Sequence, residues 1–112
     1  MRRRSAILEA VELLREAAAT LTLAQIITFL HIADEDEAVP MTDLQRRAET
    51  SAVQTWRNIQ ALTTLGLVHV VRWKMGSVTA AELSLAGQDL AARLDAMIRE
   101  ASPIAAPASV AA

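Results

Sequence analysis

The chain has 112 residues, a net charge of −2, 53% hydrophobic residues, one Phe, two Trp and no cysteine. That length fits one domain with a core thin in large side chains, so pairing with a second copy is an expected way to bury more. Disulfides and thiolate metal sites are excluded, and no apolar run approaches the roughly 18 residues of a membrane span.

Residues 1–4 carry three arginines and read as a disordered basic arm. They do not open a signal peptide, because Glu9, Glu12, Arg15 and Glu16 interrupt its would-be apolar core. The expected location is therefore cytoplasmic. Residues 5–20 read as an amphipathic helix with Ile7, Val11, Leu14 and Ala18 on one stripe and Leu8 widening it. Thr22 and Gln25 form a T-x-x-Q capping box. It opens a helix with Leu23, Ile26, Ile27 and Leu30 as core and Phe29 nearby. The run Asp34-Glu35-Asp36-Glu37 ends that helix, since carboxylates are unfavourable beside a negative C-terminal dipole. Val39-Pro40-Met41 reads as a very short strand held at a sheet edge by Pro40.

The next stretch organises the rest. Thr42 with Gln45, and Ser51 with Gln54, are two further capping boxes only nine residues apart. They bound a first helix of about two turns, with Leu44 and Ala48 on its apolar face. In the second helix, residues 51–65, the apolar residues Trp56, Ile59, Leu62 and Leu65 recur at three- to four-residue spacing and predict one buried stripe. Gly66 stands where a left-handed C-cap is needed. Residues 67–73 (LVHVVRW) read as a strand and Met75-Gly76-Ser77 as a hairpin tip. Residues 79–85 read as a second strand with Ala81, Leu83 and Leu85 on one face. The segment 86–100 holds a last helix striped by Leu90, Leu94, Met97 and Ile98. The tail, residues 101–112, is uncharged and low in complexity; it is expected to be disordered or to lie over a neighbouring subunit. Helix, turn, helix and hairpin in that order predict a winged helix-turn-helix, a mostly α (α+β) fold flanked by terminal helices.

Over residues 21–94 the chain resembles the MarR family of winged-helix transcriptional regulators. The resemblance is carried by LTLAQIITFLHIAD, MTDLQRRAETSAVQTWRNIQALTTLGLV and ELSLAGQDLAARL, in that order and spacing. Two departures stand out. Glu49-Thr50 occupies a turn where a glycine is usual, and Ala86-Gly87 stands where a Thr cap usually opens the final helix. The resemblance implies a homodimer. Residues 1–20 and 86–100 would supply its helices, residues 21–85 would bind DNA, and helix 51–65 of each subunit would enter a major groove. The wing, residues 67–85, would meet the adjacent backbone or minor groove, and repression by occlusion is the expected outcome.

On that reading the candidate DNA-contacting residues divide by chemistry. Gln54, Thr55, Arg57 and Asn58 fall on the expected outward face of the second helix; Arg suits guanine, and Asn or Gln suits adenine. Thr50 and Ser51 can bond phosphate at the helix N-terminus. Thr42, Arg46 and Arg47 lie where backbone phosphates would pass, and Arg72 and Lys74 flank the wing. Between residues 42 and 79, five basic side chains face two carboxylates, a local +3 on an acidic chain. Trp56 and Trp73 read as packing residues. His31 and His69 lack a ligand-spaced partner, so no metal is expected. Nothing suggests a catalytic constellation, a cofactor or a specific small-molecule effector. The competing reading is a winged-helix module that binds protein and not DNA. Overall negative charge and the short, weakly basic wing favour it.

Overall fold

The computed structural model describes residues 3–73, 76 and 78–101. Within them the elements run α1 (Arg3–Ala17), α2 (Leu23–Ala33), β1 (Val39–Pro40), α3 (Met41–Arg47), α4 (Ala52–Thr64), β2 (Val68–Trp73), β3 (Val78–Leu83) and α5 (Leu85–Glu100). The three strands form one antiparallel sheet in the order β1-β3-β2. Val39 faces Ala81 across one edge, and Arg72 faces Thr79 across the hairpin. Ala80 and Ala81 at its centre are both fully buried, so the middle strand is covered on both faces and tolerates only small side chains. The winged helix-turn-helix and its short edge strand at Val39–Pro40 are therefore as the sequence pattern predicts.

One apolar cluster joins the elements. Phe29 and Ile32 of α2, Leu44 of α3, Ile59 and Leu62 of α4, and Val39 and Val68 of the sheet pack together. Leu13, Leu14, Leu90 and Leu94 of α1 and α5 extend the cluster. The Thr22–Gln25 box forms as expected, each side chain accepting from the other residue's backbone N–H. The Thr42–Gln45 box does not. Pro40 takes the N-cap position of α3 with no side-chain bond, because the helix begins two residues early, at Met41. At Ser51 only half the box is made, with Gln54 N donating to Ser51 Oγ at 3.0 Å.

Four other expectations are corrected. In α1 the buried residues are Ala6, Leu13 and Leu14, with Ala18 buried just beyond its end, while Ile7, Leu8 and Val11 are exposed. Small alanines let α1 lie close against α5, and that sets which stripe turns inward. In α2 Phe29 and Ile32 fill the core, Ile26 is half-buried, and Leu23, Ile27 and Leu30 are exposed. In the C-terminal region β3 ends at Leu83, and both Leu85 and Ile98 lie on the surface. Helix α1 already begins at Arg3, so the expected arm is shorter. Lys74, Met75, Ser77, the Trp73 side chain and residues 102–112 lie outside the described set, as do the side chains of residues 1–4.

The end of α4 and the start of α5 meet in a tight joint. Leu67 N donates to Leu62 O at 3.0 Å and Gly66 N to Thr63 O at 2.9 Å, with Gly66 at φ 78°. This is the double-bonded C-cap for which Gly66 is suited. Ser84, and neither Ala86 nor Gly87, caps α5: its Oγ accepts from Gly87 N at 3.0 Å and donates to Gly66 O. Gly87 is forced by contact, since a Cβ there would stand 2.0 Å from the Leu67 carbonyl oxygen.

Candidate nucleic-acid interface

Helices α3 and α4 are joined through a second C-cap of the same kind. Thr50 N donates to Gln45 O and Glu49 N to Arg46 O, both at 3.2 Å, with Glu49 at φ 52°. The glycine usual in this turn is replaced by a residue with a Cβ in the left-handed region, which costs roughly 1 kcal/mol. Ser51 then opens α4 as its N-cap.

The register of α4 differs from the pattern read in its sequence. Thr55 is 2% exposed and Asn58 3% exposed, so neither lies on the outward face. Thr55 donates to Ser51 O at 2.9 Å. Asn58 accepts from Gln54 Nε2 at 3.0 Å and its amide lies 3.5 Å from Thr28 Oγ1, a polar seam between α4 and α2. Thr28 in turn donates to Ala24 O at 2.9 Å. Among the described residues no buried side-chain polar atom lacks a partner. Trp56, expected in the core, is instead 42% exposed, beside Val53 at 61%.

Val53, Trp56, Arg57 and Gln60 follow i, i+3, i+4 and i+7 spacing, the neighbours of one helix face. All four are exposed. Val53 and Trp56 were missed because a hydrophobicity stripe always turns Trp and Val inward. Only the buried Thr28–Asn58 pairing, a contact thirty residues apart, reverses that assignment. Arg57 is the single charged residue of α4 and makes no ion pair among the described residues.

The other basic residues are held differently. Arg46 is largely exposed and pairs with Asp43 at 3.2 Å, an i, i+3 surface pair of little worth that a phosphate can displace. Arg47 is half-buried and bonded to Glu35 at 2.8 Å, so it ties α3 to the acidic turn. Arg72 donates to Thr79 Oγ1 at 3.1 Å across the hairpin. Thr42 is exposed in the first turn of α3, and Thr50 is half-buried. His69 has a neighbour after all, its Nε2 2.7 Å from Glu82 Oε1.

The acidic residues gather elsewhere. A cleft of about 340 Å³ between α2, β3 and α5 is lined by Glu35, Asp36, Glu37 and Glu82 over Ile32, Leu83 and Ala91. Its charge suits neither phosphate nor an anionic ligand. Among the described residues no three potential ligands group for a metal, and no helix is long and apolar enough to cross a membrane.

No protein-family model matches the sequence, and no curated protein matches it. Solved structures do match the fold. RV1404 from Mycobacterium tuberculosis is similar at a TM-score of 0.69 and 14% identity, covering 86% of this chain and 65% of that one. Staphylococcus aureus MepR, solved as a DNA complex, is similar at 0.67 and 12% identity, covering 87% and 82%. A mutant of ZitR from Lactococcus lactis is similar at 0.61 and 13% identity, covering 74% and 56%. The chain thus spans less than two thirds of the length of two of these three. The shared architecture is a mostly helical winged helix-turn-helix.

Proposed function

We propose that this chain is a DNA-binding transcription regulator of the MarR type, acting as a homodimer and repressing by occlusion. The observation that supports it most is the outward face of α4. It carries no carboxylate, its only charge is the unpaired Arg57, and Arg46 stands exposed on the preceding helix. Arg57 would grip guanine in the major groove and Arg46 and Arg72 would contact phosphate. Asn58 acts by bridging α4 to α2, Thr55 by bonding back to Ser51 O from its buried position, and Arg47 by fixing the acidic turn.

The dimer rests on α1. Ile7, Leu8 and Val11 form an exposed apolar face on a helix that packs against α5, where Ile98 is exposed as well. A second copy covering this face would bury what the small core leaves open. In this division residues 1–20 and 86–100 pair two copies and residues 21–85 bind DNA.

The test is a fluorescence-anisotropy titration of the full chain with a duplex selected from a randomised library, at two salt concentrations. Saturable binding that weakens steeply as salt rises is expected, because each phosphate contact releases condensed counterions. No selectable duplex at low salt would remove the DNA reading and leave a protein-binding module.

A further inference from the structure

The outward face of α4 is apolar as well as basic, and its apolar part, Val53 and Trp56, lies outside the core cluster. The inward face is already filled by Thr55, Asn58, Ile59 and Leu62. Val53 and Trp56 lie on the other side, exposed, within one turn of Arg57. Large exposed apolar side chains grouped on a helix mark a contact surface. The base edges of the major groove present one apolar group, the C5-methyl of thymine. The sugar–phosphate backbone presents charge, which the Val53 side chain and the apolar ring face of Trp56 cannot use.

We propose that Val53 and Trp56 are specificity-determining residues that seat against thymine methyl groups beside the guanine taken by Arg57. This rests on the DNA-binding reading and specifies what that reading leaves open, the base class recognised. Two features match this occupant. Arg57 shares the face, at the spacing that places it over a neighbouring base pair. No carboxylate on α4 would repel the duplex. Gln60, one turn further along, adds a side chain with adenine-reading geometry. The recognised half-site then holds thymines next to a guanine, discriminated from cytosine at the thymine positions by methyl contact.

The experiment uses the full chain and a duplex selected from a randomised library, synthesised once with thymine and once with deoxyuridine, which lacks the methyl. The parent should bind the deoxyuridine duplex about fourfold more weakly for each contacted methyl, the worth of one buried group of that size. Trp56→Ala and Val53→Ala should bind the thymine duplex more weakly and lose most of the difference between the two duplexes. Their unfolding midpoints and salt slopes should match the parent's. Equal binding of both duplexes by the parent would overturn the methyl contact and leave DNA binding standing. A full thymine preference retained by Trp56→Ala and Val53→Ala would also overturn it. Failure to select any duplex would overturn the DNA reading itself, and this inference with it.

Discussion

Helices α4 and α5 are similar in length and both amphipathic, yet they obey different rules. Through its middle α5 is ordinary: Leu90 and Leu94 are buried, while Asp89, Arg93, Asp95 and Arg99 are exposed, Asp95 pairing with Arg99 at 3.1 Å. Helix α4 turns Thr55 and Asn58 inward and Val53 and Trp56 outward. An element that breaks local patterning where another of similar length keeps it is a candidate for a functional site. The cost on α4 is held down by hydrogen bonds on its inner side; on its outer side nothing in the fold compensates, which favours a ligand.

Substitutions can break or sharpen that contrast. The largest effect is expected from Gly87→Ala in α5. The new Cβ would overlap the Leu67 carbonyl oxygen, so the loss should exceed the roughly 1–3 kcal/mol of ordinary overpacking. Urea denaturation should show a large fall in midpoint or no cooperative transition. Leu90→Ala should cost about 3 kcal/mol as a core cavity, and Trp56→Ala, despite its greater loss of volume, less than about 1 kcal/mol. Equal costs in the same denaturation series would mean that Trp56 packs inside. Asn58→Ala should cost about 0.5–1.5 kcal/mol by removing the hydrogen bonds to Gln54 and Thr28, a loss readable in the same series. One change is a gain: Glu49→Gly should stabilise by about 1 kcal/mol, seen as a raised midpoint, by relieving the left-handed Cβ.

The sequence made the element order, the Gly66 cap, the Thr22–Gln25 box and the Val39–Pro40 strand legible, because each depends on local chemistry. Helix faces were less legible. In α1, Ile7, Leu8, Val11, Leu13 and Leu14 define two overlapping stripes, and the close packing of α1 on α5 chooses between them. In α4 the choice depends on the Thr28–Asn58 contact, which no short-range pattern encodes. Of the candidate contact residues, Arg46, Gln54, Arg57 and Arg72 are exposed as expected, whereas Thr55 and Asn58 are interior and Arg47 is bonded to Glu35.

The central claim is that the outward face of α4 reads DNA through Arg57. Anisotropy titration of Arg57→Ala against the parent's selected duplex tests it most directly. The account predicts an affinity loss of about tenfold or more, from one guanine contact worth roughly 1–3 kcal/mol, with an unchanged unfolding midpoint. Binding by Arg57→Ala as tight as the parent's would contradict it.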